Sequence, residues 1–342
     1  MLINIFQILV IQLIITFPII IYSKKIGLLD IPNERKLHID PTPYTGGIII
    51  SITLLFIVFL TNYDNQYLNQ VLSFSVLIAI TGLIDDKYNV NPGTKIVLQF
   101  FPIFFLINND FYLSDLGFYE NYGTLTLGSF DKVFTIFCCL LLINAFNYSD
   151  GVDGLVSSIM VIILISFNLY LIFLQKTTSD NYLLLISLPF IVFLIFNFGL
   201  IKNFKIFLGD SGSNLVGFLI SFISIYMYNV KGLHPSLIIW PLAYIVFEFL
   251  SVNIIRLINN KKIFKAGKDH LHYELSELFN LKKNWVLLII LLINIFYCVV
   301  GCIMFIFFKN YISIVIYFVS FMIFLFLKIK IKNMINYSKP LT

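Results

Sequence analysis

The sequence predicts an all-α protein that crosses a membrane many times. Three observations carry that fold class. The 342 residues are 59% hydrophobic and only 12% charged, whereas a soluble domain is about 25% charged. Apolar runs of spanning length recur along the whole chain and are apolar on every face, unlike surface helices with one wet side. Lys and Arg divide unevenly among the intervening segments, which is the bias that orients membrane proteins. The formal charge of +5 is modest, and no nucleic-acid partner is expected.

Eleven apolar segments start near residues 2, 46, 67, 95, 132, 153, 182, 212, 235, 284 and 311. They predict about eleven spans (ten to eleven) in a single integral membrane domain, 1–342. The first has no basic stretch before it and no small-residue cleavage site, and Lys24 and Lys25 follow it. It is expected to be a retained helix, not a signal peptide, with its N-terminus outside. The fourth is short and contains Pro102. With this count the inside loops fall near 23–45, 85–95, 147–153, 201–211 and 257–283. All but four of the 23 Lys and Arg then lie in those loops, at the edge of one (Arg256) or in the C-terminal tail, which includes Lys328; only Lys132, Lys176, Lys231 and Lys309 are outside. The expected topology is N-terminus out and C-terminus in. The outside stretch 108–131 is acidic and turn-rich, and its "TLTLGS" alternation predicts a small hairpin. Cys138, Cys139, Cys298 and Cys302 sit in apolar runs and are expected to be small core residues.

Against this background five carboxylates stand out, all at the predicted inside ends of spans: Asp85, Asp86, Asp150, Asp153 and Asp210. An acidic side chain costs roughly 2.5–3.5 kcal/mol at the bilayer centre on insertion scales, so repeated placement at one boundary points to a shared cation. Asp85 and Asp86, being adjacent, diverge by about 100° on a helix; one can face a site while the other bonds backbone or a lysine. Asn144, Asn147, Asp150 and Asp153 recur every third residue, a spacing that drifts round a continuous helix. Gly151 therefore suggests a break, with the two Asn on one helix end and the two Asp at the next start. In "FLGDSGSN", Gly209 and Gly212 permit close approach, and Asp210 or Ser211 is placed to cap a helix whose free start suits a phosphate. His270 and His272 lie beside Lys268 in a basic loop and suit phosphate better than zinc. Arg35, Lys36 and His38 are candidates for a diphosphate or an anionic lipid. Hard Mg²⁺ takes one or two carboxylates plus substrate phosphates. The set therefore suits metal-assisted transfer of a phosphoryl-linked group between a nucleotide and a lipid.

Five ordered motifs between about residues 27 and 276 carry a family likeness: "DIPNERKLH" with "PTPYTGG", "GLIDDKYNVNPGTKIVLQF", "NAFNYSDGVDGL", "FLGDSGS" and "KDHLHYEL". On these the chain resembles the polyprenyl-phosphate N-acetylhexosamine-1-phosphate transferases that initiate O-antigen and teichoic-acid linkage units, related to phospho-MurNAc-pentapeptide translocase. The resemblance implies a bacterial inner-membrane enzyme with a cytoplasm-facing cleft. There undecaprenyl phosphate attacks the β-phosphorus of a UDP-sugar and UMP leaves. It implies Mg²⁺ (or Mn²⁺) on Asp210, with Asp85 as a second ligand or as the acceptor-orienting base and Asp86 beside it. Asn147, Asp150 and Asp153 are then site residues, with Asn144 near them. Phe207 would stack on uracil, and Lys95, His270 and His272 would meet phosphate. A homodimer is the assembly considered.

The chain departs from the family pattern at Gly267, Lys268 and Tyr273, where Asp, Arg and His are usual, and at Glu248, where Asp is usual. These departures leave the sugar open and keep a catalytically divergent relative as an alternative. A secondary transporter using the Asp residues is the other alternative, but it would favour midplane charges and repeats, and the chain shows neither. A CDP-alcohol phosphotransferase would need a longer motif than the first two residues of "DGVDGL".

Overall fold

The structure is a computed structural model that describes residues 2–32, 40–60, 65–262, 267 and 269–338. The helices in chain order are α1 (Leu2–Ile26), α2 (Gly46–Leu60), α3 (Gln66–Tyr88), α4 (Pro92–Asn108), α5 (Asp131–Ser149), α6 (Leu155–Phe173), α7 (Asn181–Asn197), α8 (Gly209–Asn229), α9 (Pro235–Ile238), α10 (Ala243–Ile258), α11 (Leu271–Phe279), α12 (Lys283–Phe307) and α13 (Asn310–Ser338). Two strand pairs complete the set: β1 (Leu29–Asp30) with β2 (Thr42–Pro43), and β3 (Asp115–Tyr119) with β4 (Gly123–Thr126). The second pair is the hairpin expected in 108–131. It is bulged between Asp115 and Phe118 and turns through Asn121 at φ +72°.

Every apolar segment read from the sequence is helical. Among the described residues seven helices are long and apolar enough to cross a membrane: α1, α3, α5, α6, α8, α12 and α13. α2, α4 and α7 are apolar but shorter. The segment starting near 235 is split between α9 and α10, with Pro241 at the break, where a missing N–H and the restriction on the preceding residue end a helix. The connection from α3 to α4 is tight: Asn89 adopts φ +47°, and Asn91 caps α4 by accepting from Thr94 N at 2.9 Å. Lys95 is thereby folded back beside the end of α3.

α8 is the axis of the bundle. It packs against α2, α3, α5 and α6, and 89% of its apolar window is buried, against 11% for α13. Small residues allow the approach, as is usual between helices in lipid. A Cβ on Gly47 of α2 would lie 2.2 Å from Gly212 N; one on Gly82 of α3 would lie 2.4 Å from Ser211 Cα; one on Gly217 would lie 2.4 Å from Ile143 Cα. All four cysteines are free, and Cys139 and Cys298 are buried as expected. Two basic residues assigned to inside segments are not solvated charges. Arg256 is buried in the last turn of α10, and Lys328 is buried in α13. Each has an acidic partner in the interior.

Candidate active site

One end of the bundle opens into a cleft of ≈ 800 Å³. The ends of α3, α5, α7 and α10 and the starts of α4, α6 and α8 meet there. All five carboxylates line it, together with Lys95, Asn144, Asn147, Phe207, His270 and His272. Arg35, Lys36, His38 and Lys268 lie outside the described residues.

The start of α8 is held by backbone. Gly46 N and Gly47 N donate to Phe207 O and Leu208 O at 3.0 and 3.1 Å, and Phe207 N donates to Pro43 O at 2.7 Å. The "PTPYTGG" segment is thus a cradle for "FLGD", and its two glycines are there for close contact. The cap differs from expectation. Neither Asp210 nor Ser211 caps α8 with its own side chain; Asp86 does so from α3, accepting from Asp210 N at 3.0 Å and Ser211 N at 3.2 Å. A carboxylate there satisfies two orphan N–H groups and lies on the positive end of the helix dipole. Gly209 makes room for it: it sits at φ +73°, and a Cβ there would be 2.7 Å from Asp86 Oδ2.

Asp85 and Asp86 therefore turn to different partners, as adjacent helical residues must. Asp85 Oδ1 accepts from Val90 N at 2.9 Å, and its Oδ2 lies 2.6 Å from Lys95 Nζ. The same ammonium lies 2.7 Å from Asp210 Oδ2. Asn147 Nδ2 donates to Asp210 Oδ1 at 2.9 Å and to Ser213 Oγ at 3.1 Å. Asn144 does not join it: its amide donates to Leu140 O within α5.

The break after α5 is a turn, Asp150 to Gly154, with Gly154 at φ +79°. Asp153 pairs with Lys205 at 2.8 Å, and Lys205 Nζ sits 5.3 Å from the centre of the Phe207 ring. Burial, then the charges of Asp210 and Asp153, push the Asp150 carboxyl up to about 8. Asp85 and Asp210 share the Lys95 ammonium, and Asp86 and Asp150 lie close enough to Asp210 to be raised by its charge. These oxygen donors fit a hard divalent cation. Among the described residues no three acidic, His or Cys side chains already form a ligand cluster.

The opposite wall is built from α10 and the loop before α11. Arg256 and Asp269 form a two-pronged pair, Nε to Oδ2 at 2.8 Å and Nη2 to Oδ1 at 2.6 Å. Burial opposes the Asp269 charge, but Arg256 outweighs it and holds the carboxyl down to about 2. The guanidinium also lies 5.6 Å from the Tyr148 ring centre. His270 and His272 stack at 5.6 Å with rings nearly parallel. His272 is packed against the Asp150–Gly154 turn, so closely that a Cβ on Gly151 would lie 2.0 Å from its Nε2. Burial, then neighbouring His270, lower its pKa to about 3. His272 is therefore neutral at physiological pH, which is poor for gripping phosphate by charge. Sequence reasoning missed Tyr44, Tyr148 and Arg256 as cleft residues. The signal for Arg256 was its place one helix turn inside a predicted span end.

Residues 68–228 match glycosyl transferase family 4. That interval holds the Asp85–Asp86, Asn147–Asp153 and Asp210 parts of the cleft. The chain is 26% identical over 255 residues to the undecaprenyl-phosphate alpha-N-acetylglucosaminyl 1-phosphate transferase of Escherichia coli (strain K12), covering 73% of this chain and 70% of that one. The protein of that name from Yersinia pestis is 27% identical over 253 residues, with 73% and 69% covered. A probable undecaprenyl-phosphate N-acetylglucosaminyl 1-phosphate transferase of Bacillus subtilis (strain 168) is 27% identical over 289 residues, with 80% and 76% covered.

Proposed function

We propose that the protein transfers an N-acetylhexosamine 1-phosphate from a UDP-sugar to undecaprenyl phosphate, releasing UMP, with Mg²⁺ (or Mn²⁺) as cofactor. One observation carries this reading: five Asp residues remote in sequence, with Lys95, line one cleft at one end of an apolar helical bundle. The family match over residues 68–228 and the relatives named for this acceptor support it.

Phosphoryl transfer demands positioning and charge stabilisation more than covalent help. An oxygen of the lipid phosphate forms a bond to the β-phosphorus, the bridging P–O bond breaks, and UMP leaves with its electron pair. Asp210, with Asp85 or Asp150 beside it, would hold the cation, which neutralises diphosphate charge when bound. Asn147 fixes the Asp210 carboxylate through Oδ1. Asp86 fixes the backbone that carries it. Asp85 lies beside Lys95, and the pair would align the incoming lipid phosphate. Lys95 would also lend positive charge to the transferred group. Phe207 offers a ring for uracil, with Lys205 beside it for phosphate, and His270 is the histidine suited to the diphosphate. The cleft is assigned to the cytoplasmic face, where UDP-sugars are, by the Lys and Arg bias. A reporter fused after Thr342 should then work only in the cytoplasm.

The direct test offers purified protein, undecaprenyl phosphate and a panel of UDP-sugars, beginning with UDP-N-acetylglucosamine. Release of UMP that requires both the lipid and Mg²⁺ is expected. No release with any donor overturns the reading.

A further inference from the structure

Among the described residues, the last helix, α13, contributes no side chain to the cleft, yet it buries a lysine behind the histidine wall. Lys328 is 1% exposed. Its Nζ lies 2.7 Å from both carboxylate oxygens of Glu248 on α10, and 3.4 Å from Glu274 Oε2 on α11. Glu248 is equally buried and has more to do. Its Oε1 accepts from Leu271 N at 2.8 Å, the first amide of α11, and lies 3.6 Å from His270 Nδ1. That nitrogen is buried and has no hydrogen-bond partner among the described residues, and Glu248 is the carboxylate beside it. His270 itself lines the cleft.

We infer that Lys328 is a positioning residue: through Glu248 it fixes the start of α11 and the His270 ring against the cleft. The geometry makes this a chain of three links. Lys328 grips Glu248 by both oxygens and so fixes the plane of the carboxylate. The fixed carboxylate holds Leu271 N, which sets where α11 begins. It also faces Nδ1, which leaves the opposite ring nitrogen, Nε2, as the one available to a ligand. A buried acid and base of this kind cost desolvation and add little net stability. A role in orienting a neighbouring group is the better account of why an apolar helix carries one.

The inference rests on His270 meeting the donor diphosphate, and the experiment separates the two. Lys328→Met, His270→Ala and the double variant are compared for KM and kcat towards the UDP-sugar. Lys328→Met should raise KM about tenfold with a smaller change in kcat, and should add almost nothing in the His270→Ala background, the mark of two residues acting as one. Lys328→Arg should restore most of the loss. If Lys328→Met leaves Glu248 uncompensated and the protein does not fold, the Glu248→Gln/Lys328→Met pair removes both charges together and should show the same KM effect. Additive losses in the two backgrounds overturn the positioning role while leaving the diphosphate contact standing. An unaltered KM in His270→Ala removes that contact, and this inference with it.

Discussion

The two walls of the cleft are built by different means. On the carboxylate wall, backbone holds backbone: the Gly46–Gly47 amides grip Phe207 and Leu208, and Gly82 lets α3 lie against Ser211. On the histidine wall, side chains hold the loop: Arg256 grips Asp269, and Glu248 grips Leu271 N while Lys328 steadies it. Backbone contacts leave almost no positional freedom, whereas side-chain ends can shift by a few tenths of an ångström at low cost. A wall that must place charge for chemistry gains from the first kind of construction. Under the proposed function, a wall that meets the sugar would tolerate the second. Of the departures from the family pattern, Gly267 and Tyr273 fall on the side-chain wall.

The largest effect expected is at the centre of the rigid wall. Asp210→Asn should lower turnover at least about a hundredfold, the size of losing one preorganised electrostatic contact, with an unchanged thermal midpoint. Near wild-type turnover by the folded variant in EDTA would remove both the metal role and the functional contrast between the walls.

The contrast itself is tested by one methyl group on each side. In Gly82→Ala the new Cβ would meet Ser211 Cα at 2.4 Å and Asp210 O at 2.5 Å, both backbone. The cost should reach about 1–3 kcal/mol, as for overpacking a tight core, and turnover should fall with it. In Gly267→Ala the new Cβ would meet Asp269 Oδ1 at 2.5 Å and Arg256 Nη2 at 2.9 Å, both side-chain ends. Stability should change less, and KM more than kcat. Equal destabilisation by the two would show that the walls do not differ in stiffness. A smaller loss is expected for Asp86→Ala, about 1–2 kcal/mol as for other lost helix caps, read as a lower thermal midpoint.

How much of this was legible beforehand follows the same division. Asp85, Asp150, Asp153 and Asp210 stood out because a charge in an apolar chain is conspicuous. The Asp86 cap was not legible, because its partners are more than a hundred residues away. Gly46, Gly47 and Gly82 gave no local cue, since helix–helix approach depends on what lies opposite. Arg256 and Lys328 were read as inside-facing charges because a hydropathy window registers a span end and not the acid buried beside it. Asn144 shows the converse: it looks like a partner to Asn147 in sequence, but its amide closes on its own helix.

The smallest effect expected is a pH response in which two groups on the histidine wall oppose each other. His272 is held down to about 3, chiefly by burial, from an ordinary 6.5. Its contribution to stability is fully present above pH 6.5 and is lost as pH falls towards 3, because the unfolded chain takes up the proton first. Glu274 runs the other way: burial lifts it to about 7 from an ordinary 4.5, against the pull of Lys328. Its contribution is full below pH 4.5 and is lost as pH rises through 7. Between pH 7.5 and 5.5 acidification therefore weakens the fold through His272 and strengthens it through Glu274, each by at most about 1.4 kcal/mol per pH unit. In the wild type these two contributions largely cancel, and the Asp150 carboxyl, raised to about 8, adds a gain of its own on acidification. Relative to the wild type, His272→Gln should therefore gain stability between pH 7.5 and 5.5, and Glu274→Gln should lose it. Shifts of the same sign in both variants would mean that these two groups do not titrate against each other, and that the loop is set by Arg256 and Asp269 alone.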